Sequence, residues 1–209
     1  SITPFIDRMI HEVNRLSEGG ESDEVRQERY QYIAELTDKI NQYNNVLTEW
    51  IQMRQGSLSL RIESFPLQGL FDIVAKGKMS FQMQGVTLEV EPTDAVVKAD
   101  RILTLFMINT IADNARKFTP EGGKVTISAK VSDFVGISIS DTGKGMDEEQ
   151  LAHVFDRTYT GGHGFGLLNC KGIIEKYKKV SSLFAGCQIK AESKLGEGSR
   201  FSFRLPKGI

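Results

Sequence analysis

The first part of the chain carries apolar residues at alternating steps of four and three positions. One series comprises Ile2, Ile6, Met9, Val13 and Leu16, and after a Gly-rich loop a second comprises Ile33, Leu36, Ile40, Tyr43, Leu47 and Trp50. This heptad spacing predicts two helices, the second running from about Asp23 to Gln55 with Ser22 as its N-cap. Because a hairpin cannot bury such a seam by itself, we predict that residues 1–62 form a helical hairpin that pairs with a second copy as a four-helix bundle.

The two predicted helices differ in length. Helix one has about sixteen residues before the loop, so at ~1.5 Å per residue helix two extends beyond it by roughly 25 Å. That overhang would leave the apolar positions between Ile40 and Trp50 facing water. We therefore expect helix one to continue upstream of Ser1, the alternative being that the overhang simply lies in the open.

The pattern changes after Pro66. Residues 102–118 place their apolar side chains on one face and predict a helix, and shorter helices are predicted at 67–75 and 167–179. Alternating apolar and polar residues predict strands at 125–131, 135–139, 187–191 and 201–205, with short strands at 79–83 and 86–90. Strands with one buried face imply a sheet covered by helices on one side. The predicted fold class is therefore α+β, a long helical hairpin followed by a two-layer α/β sandwich over residues 63–209.

Composition indicates an ordinary globular protein and argues against several other classes. The chain has 209 residues, of which 40% are hydrophobic and 25% charged, as in ordinary globular domains. The 26 basic and 27 acidic residues give a net charge of −1, and no basic patch supports nucleic-acid binding. Two cysteines cannot form a disulfide framework. No apolar run approaches the ~20 residues that a membrane span needs.

Three segments carry candidate chemistry. Residues 113–120 (DNARKFTP) close the 102–118 helix, residues 137–146 (ISISDTGKGM) run from a strand into a Gly-rich turn, and residues 161–167 (GGHGFGL) form a Gly-rich loop that opens a helix. A carboxylate such as Asp141 can accept a hydrogen bond from the exocyclic amine of a purine. A Gly-rich loop before a helix offers backbone N–H groups to phosphate. Taken singly, each segment is also compatible with an ordinary turn or a solvated polar residue.

Taken together, in this order, the three segments resemble the N, G1 and G2 boxes of the Bergerat-fold ATPases, which include gyrase, Hsp90, histidine kinases and MutL. Residues 114–123 (NARKFTPEGG) are similar to the N box of sensor histidine kinases in particular. Residues 153–157 resemble the F box of these kinases, and residues 196–201 resemble the segment before their last strand. Residues 1–62 are similar to their dimerisation and histidine-phosphotransfer hairpin. The resemblance implies that residues 63–209 are a catalytic domain of the Bergerat ATPase type.

The resemblance also implies a site for ATP and Mg²⁺. Asn114 would hold the metal ion and Asp141 the adenine. The nucleotide-binding residues implied in this way are Asn114, Lys117, Phe118, Asp141, Gly143, Gly145, Gly162, Gly164, Phe165, Gly166 and Leu167. The segment between Phe155 and Gly162 is short for the ATP lid of this family, and His163 stands where the family more often has Ser or Thr.

The residue four positions before Asn114 bears on whether a member of this superfamily hydrolyses ATP or transfers its phosphoryl group. The hydrolytic members resemble one another in having a Glu four residues before the metal-binding Asn, where it activates water. That position is Thr110 here. Because a hydroxyl is too weak a base for that role, the sequence favours phosphoryl transfer to histidine over hydrolysis.

The phosphoacceptor histidine is harder to assign. His11 is followed by Glu12, as is typical of the acceptor in this family, but Leu16 stands where the family has a Pro. His11 also lies near the Gly19–Gly20 turn, whereas the catalytic domain follows the other end of helix two, ~45 Å away. His11 is retained as a candidate acceptor beside the expectation that the acceptor lies upstream of Ser1.

The resemblance implies a two-component sensor histidine kinase that autophosphorylates on histidine and passes the phosphoryl group to an aspartate of a response regulator. It implies a homodimer formed through residues 1–62 and a receiver domain as partner. We expect a cytoplasmic domain whose parent protein is anchored in the inner membrane through regions outside this chain. The alternatives are a nucleotide-binding scaffold and a hydrolytic ATPase of the same fold.

Overall fold

The structure, a computed structural model, describes residues 3–54, 60–156 and 165–209. The chain divides into two units, Ser1–Ser59 and Leu60–Ile209. The side chains of residues 3–4, 42–43, 45–54 and 165 also lie outside the description. Within the described ranges, no helix is both long enough and apolar enough to cross a membrane.

The described part of the first unit, residues 3–54, forms two helices, α1 (Thr3–Glu18) and α2 (Asp23–Arg54). The connecting loop turns at Gly19 and Gly20, whose φ angles of 72° and 87° are left-handed. At the start of α2, the backbone N–H of Val25 donates to Ser22 Oγ at 3.4 Å, as a capping residue requires. Thr37 Oγ1 of α2 contacts Met9 Sδ of α1 at 3.6 Å.

The face that α1 turns toward α2 differs from the predicted seam. Phe5 and Glu12 are buried and Met9 and Leu16 are half-buried, whereas Ile6 and Val13, which were predicted to lie in the seam, are 39% and 46% exposed. The apolar residues of α1 thus form two adjacent stripes. One packs on α2 in the single chain, where Tyr32 and Leu36 are buried, and the other faces outward.

An ion cluster fixes the position of α1 on α2. The Arg29 guanidinium pairs with Glu12 and also donates to both oxygens of Glu21, at 2.6 and 2.7 Å. The carboxylate hydrogen bonds, first that of Glu21 and then that of Glu12, raise the pKa of Arg29, and the Arg29 hydrogen bond lowers the pKa of Glu21. Glu12 is only 5% exposed, so its charge is tolerable there because it is paired.

In the described residues of the second unit, the strands form a two-stranded and a five-stranded sheet. The strands are β1 (Ile62–Pro66), β2 (Thr87–Val90), β3 (Val96–Asp100), β4 (Lys124–Val131), β5 (Phe134–Asp141), β6 (Gln188–Lys194) and β7 (Gly198–Pro206). The helices are α3 (Gln68–Lys76), α4 (Met79–Gln82), α5 (Arg101–Phe118), α6 (Glu148–Ala152) and α7 (Phe165–Val180), with a 3₁₀ turn at Ser182–Phe184. β1 pairs antiparallel with β3. The larger sheet has the order β2-β4-β5-β7-β6, with only β2–β4 parallel.

The core of this unit lies between one face of the larger sheet and the helices α5 and α7. Alternate residues of the sheet are buried, among them Val125, Ile127, Val135, Ile137, Ile139, Phe201, Phe203 and Leu205. Ile108 and Ile111 of α5 and Ile173 and Ile174 of α7 are buried as well, and α5 contacts β4 and β5 while α7 contacts β6. The mixed α/β fold predicted from the alternation is confirmed. β5 is the middle strand, so its last residue, Asp141, lies at the centre of the sheet edge.

One local prediction in this unit is wrong, and one small sheet was not predicted. Residues 79–83 were predicted as a strand, but 79–82 form the short helix α4, with Ser80 and Phe81 buried. A short apolar run has too few residues to distinguish a helix from a strand. The small sheet β1–β3 was not predicted, because its pairing depends on residues 30 to 38 positions apart, from Pro66 with Val96 to Ile62 with Asp100.

Asp100 joins three elements of the second unit. Its side chain caps α5 by accepting from the backbone N–H of Ile102 and Leu103, both at 3.1 Å, and also accepts from Arg61 N at 3.0 Å. Its own N–H donates to the Tyr177 hydroxyl of α7 at 2.9 Å. Tyr177 is fully buried and stacks on Phe184, with ring centroids 5.1 Å apart. This junction fixes the start of α5 against the end of α7.

Replacement of Tyr177 by Phe should therefore destabilise the second unit. The change removes only the hydroxyl and leaves the buried N–H of Asp100 without its acceptor, so we expect a loss of ~1–3 kcal/mol of unfolding free energy. Urea denaturation of the whole chain measures the loss. Tyr30→Phe removes the same atom from a ring that is 53% exposed, and should change stability by less than ~0.5 kcal/mol. Equal effects of the two variants would contradict the role of the Tyr177 hydroxyl.

Candidate functional site

The C-terminal half of α5 carries the first group of candidate residues. Thr110, Asn114 and Lys117 follow one another at steps of four and three, so they share one face of the helix. Asn114 is half-buried, and its amide forms no hydrogen bond with any residue in the described ranges. Phe118, the last residue of the helix, has a ring that is 46% exposed. This face therefore presents polar groups that are not used in holding the fold together.

Arg116, by contrast, points into the fold. It is 4% exposed, pairs with Asp113 at 3.5 Å and donates to Gln84 Oε1 at 2.7 Å, with its guanidinium 6.0 Å from the Phe81 ring centroid. It anchors the last turns of α5 to the segment after α4. Sequence reasoning missed this role because the contact depends on where residues 81–84 fold.

Asp141 ends the central strand β5, and backbone hydrogen bonds hold its side chain. Its side chain is 8% exposed. One oxygen, Oδ1, accepts from the backbone N–H of Gly143 at 2.9 Å and of Ser199 at 3.2 Å, and Oδ2 has no hydrogen bond to a described residue. Burial raises the pKa of Asp141, and the two backbone donors oppose that shift without cancelling it. The carboxylate is thus held by one oxygen and can accept a ligand hydrogen bond with the other.

The loop after Asp141 passes so close to backbone carbonyl groups of neighbouring segments that it needs glycine at two positions. A Cβ on Gly143 would overlap the carbonyl oxygen of Phe118 and would lie 2.7 Å from Asp141 Oδ1. Gly143 therefore lets the end of α5 and the end of β5 come together. Gly145 has a φ of +65°, and a Cβ there would overlap the carbonyl oxygen of Lys194.

The turn between β6 and β7 supports the same loop from the other side. The N–H of Met146 donates to Ser193 Oγ at 2.8 Å, and that hydroxyl donates to the Gly198 carbonyl at 2.9 Å. The N–H of Gly196 donates to the Lys144 carbonyl at 2.7 Å. Ser193 and Ser199 were not among the candidate residues. The only sequence signal near them was the 196–201 segment, which does not reveal what it packs against.

The start of α7 approaches α5 at Thr110. A Cβ on Gly166 would lie 2.7 Å from Thr110 Cγ2. Thr110 is 3% exposed, and its hydroxyl has no hydrogen-bond partner among the described residues. Leu167 is buried. Gly162 and Gly164, as well as His163 and most of the predicted lid, lie outside the described residues, as does the side chain of Phe165.

The described histidines and cysteines lie outside this group of residues. His11 is exposed on α1. His153 follows α6, where its Nδ1 lies 2.8 Å from Asp156 Oδ2. Cys170 and Cys187 are buried thiols, and burial raises the pKa of Cys187 to about 11. Over the ranges that the structure covers, no three His, Cys, Asp or Glu side chains form a cluster that could hold a metal ion by themselves.

Comparison with known proteins decides the family. Residues 99–209 match the family described as histidine kinase-, DNA gyrase B-, and HSP90-like ATPase. The chain belongs to this ATPase family. The matched region begins just before α5 and contains every described residue of the candidate site.

Curated relatives of this ATPase chain are sensor proteins. It is 31% identical over 181 residues to the sensor protein DivL of Caulobacter vibrioides and 30% identical over 203 residues to the sensor protein SrrB of Staphylococcus aureus. These matches cover 83% and 90% of the chain, but only 22% and 33% of the relatives. The chain thus spans about a fifth to a third of the length of the curated relatives that it matches.

Solved structures show the same fold. The catalytic domain of histidine kinase ThkA is 26% identical with a TM-score of 0.58, and the match covers 70% of this chain and 96% of that one. Full-length ShkA, solved in complex with AMPPNP, is 23% identical with a TM-score of 0.64, covering 87% of this chain and 39% of that one. Acinetobacter baumannii AdeS is 20% identical with a TM-score of 0.62 and covers 98% of this chain and 96% of its own.

Within this ATPase domain, Gly145→Ala should be strongly destabilising. The substitution forces a left-handed conformation on Ala and places a methyl group on the Lys194 carbonyl, so we expect a loss of more than ~1–2 kcal/mol in chemical denaturation. The control is Gly172→Ala in α7, where nothing lies within 4 Å of the added Cβ. That variant should be neutral or stabilised by up to ~1 kcal/mol. A Gly145→Ala protein as stable as the control would contradict the described loop.

Proposed function

We propose that this chain is the cytoplasmic catalytic core of a two-component sensor histidine kinase. It autophosphorylates on histidine with ATP and passes the phosphoryl group to an aspartate in the receiver domain of a response regulator. The observation that carries this proposal is the Asp141 carboxylate, held at Oδ1 and without a described partner at Oδ2, in a member of an ATPase family. The sensor-protein relatives support the signalling role.

Adenine would be recognised by Asp141. Its ionised carboxylate would accept a hydrogen bond from the exocyclic amine of the base. Gly143 has no side chain, so the purine ring could approach the loop closely. Phe118 provides an exposed aromatic surface beside this point, and Lys117 a positive charge for the phosphates. Gly162, Gly164, Phe165, Gly166 and Leu167 would complete the phosphate side of the site at the N-terminus of α7. The ATP analogue in the ShkA complex is consistent with this fold holding an adenine nucleotide.

The residues present fit a divalent cation. Asn114 has an amide oxygen with no described partner, and one turn earlier the buried hydroxyl of Thr110 also has none. Neutral oxygen ligands suit a hard Mg²⁺ ion that already carries phosphate oxygens. Asn114 would hold the ion, which would neutralise negative charge on the phosphate chain during transfer.

Transfer is favoured over hydrolysis by position 110. A buried Thr hydroxyl cannot deprotonate water as a carboxylate can. The stronger nucleophile is an imidazole nitrogen. It attacks the γ-phosphorus, the bond to the β–γ bridging oxygen breaks, and ADP leaves. The domain contributes by binding and orienting ATP in a site where charge is neutralised.

Residues 1–62 would form a homodimer. On α1, Ile6, Ile10 and Val13 lie at steps of four and three and are 39%, 53% and 46% exposed, so they form an outward stripe suited to a second copy. Packing α1 and α2 of two chains together makes the four-helix bundle of a dimerisation and phosphotransfer domain. His11 lies on this helix and remains a candidate acceptor. We expect membrane attachment only through regions outside this chain.

Nucleotide affinity should depend on the charge of Asp141. Because its pKa is raised, protonation removes the acceptor at a higher pH than for an ordinary Asp, and ATP affinity should fall as pH decreases through that range. In Asp141→Asn, the oxygen would stay with the two backbone donors and the NH₂ would face the adenine amine. We expect an affinity loss of about 10- to 100-fold at neutral pH, corresponding to a hydrogen bond with a charged group. ATP affinity in the variant should also fall less with decreasing pH than in the unaltered chain, because protonation of the ATP phosphate affects both proteins alike.

Isothermal titration calorimetry of both proteins, from neutral pH down through the range in which the Asp141 carboxyl is protonated, measures both effects. The matched control is Asp133→Asn, an exposed residue in the β4–β5 turn at the far end of β5. It should bind ATP as the unaltered chain does. An equal fall of affinity with decreasing pH in both proteins, or full affinity in Asp141→Asn at neutral pH, would contradict adenine recognition by this carboxylate.

Kinase activity is tested in the longest natural polypeptide that carries these residues. With ATP labelled at the γ-phosphate and Mg²⁺, we expect acid-labile, base-stable protein label. Asn114→Ala should reduce this label by at least about 100-fold, since a metal-binding group is lost from a site that acts through charge. Asp133→Asn should leave the label unchanged. Nucleotide binding without label would support the scaffold alternative, and phosphate release without an acceptor would support a hydrolytic ATPase.

A further inference from the structure

Two lysines approach the same exposed ring. The Nζ atom of Lys117 on α5 lies 5.3 Å from the Phe118 ring centroid, and Nζ of Lys144 in the loop after β5 lies 5.4 Å from it. An ammonium at this distance is attracted by the negative face of an aromatic ring. The two positive charges therefore share one aromatic anchor although they come from different elements.

The backbone of Lys144 is fixed on both sides. Its N–H donates to the Phe118 carbonyl at 3.4 Å, and its carbonyl accepts from Gly196 N at 2.7 Å. The next residue, Gly145, fits closely against the Lys194 carbonyl. This residue is therefore not on a loosely held loop, and its side chain starts from a defined point next to the end of α5.

Neither lysine is neutralised by a carboxylate in the described part of the chain. Other lysines of the same unit are paired, such as Lys124 with Glu89 at 3.0 Å and Lys178 with Glu175 at 2.7 Å. Lys117 and Lys144 form no such ion pair with a described residue. Two like charges near one ring, neither of them paired with a carboxylate of a described residue, are a favourable place for a polyanionic ligand.

We propose that Lys144 is a second cationic residue of the nucleotide site, which with Lys117 attracts the phosphate chain of a nucleoside polyphosphate. This inference depends on the proposed function. The role of Lys144 is additional to that function, because Lys144 is not among the nucleotide-binding residues that the family resemblance implies. Lys144 acts through its charge, and Phe118 positions its ammonium group.

A charge effect has two signatures. It grows with the charge of the ligand, so ATP should be affected more than ADP, and adenosine hardly at all. It is also screened by salt, because the Debye length is about 8 Å at physiological ionic strength. A contact with the base or a merely structural role would change the affinity for adenosine and ATP alike.

The test is calorimetric titration of the whole chain with adenosine, ADP and ATP, at low and high salt. In Lys144→Gln we expect ATP affinity at low salt to fall about 3- to 10-fold, ADP affinity to fall less, and adenosine affinity to stay within about twofold. High salt should reduce the difference from the unaltered chain. Lys144→Arg keeps the charge and should retain ATP affinity to within about twofold.

Lys130→Gln is the matched control. Lys130 is exposed and pairs with Gly136 on β5, five positions along the ladder from Asp141, which is roughly 17 Å. The Lys130→Gln substitution changes the net charge as Lys144→Gln does, and it should leave ATP affinity unchanged. Equal losses for adenosine and ATP in Lys144→Gln, or no loss for ATP, would overturn the role of Lys144 while leaving the proposed function intact. Failure of the unaltered chain to bind ATP would instead contradict the proposed function itself.

Discussion

The site is organised by one carboxylate that is buried at the end of the central strand. Asp141 cannot be left there without partners, since burial disfavours its charged form. The backbone N–H groups of Gly143 and Ser199 supply those partners at a single oxygen. Because both donors belong to the backbone, the orientation of the carboxylate is set by the loop after β5 and by the start of β7. The rest of the site is built around this geometry.

The elements around Asp141 are held by contacts that have no direct part in ligand binding. Asp100 and Tyr177 fix the start of α5 against α7, and Arg116 fixes its end. The helix can then present Asn114, Lys117 and Phe118 on its outward side. On the other side of the site, Ser193 fixes the loop that begins at Asp141. A rigid frame of this kind suits phosphoryl transfer, where the protein acts mainly by positioning and by charge.

Sequence reasoning found the elements whose signal is local. The alternation in β4, β5, β6 and β7 and the one-sided apolar pattern of α5 were sufficient to predict them. The candidate site residues came instead from the resemblance of three short motifs to those of a known family. What was missed depends on distant pairing. The β1–β3 sheet, the support of the loop by Ser193 and the proximity of Lys144 to Phe118 each join segments that no local pattern relates. On α1, heptad spacing indicated an apolar face, but not that Phe5 and Glu12 would face α2 while Ile6 and Val13 face outward.

A hydrogen bond from the exocyclic amine of adenine to Asp141 can be tested with purine riboside triphosphate, which differs from ATP only in lacking that amine. Calorimetry compares the two nucleotides on the unaltered chain and on Asp141→Asn. Removal of the amine should weaken binding to the unaltered chain about tenfold or more and should not weaken binding to the variant, because one hydrogen bond to a charged group is lost in the first case only. Equal affinity of the unaltered chain for the two nucleotides would show that Asp141 does not recognise adenine.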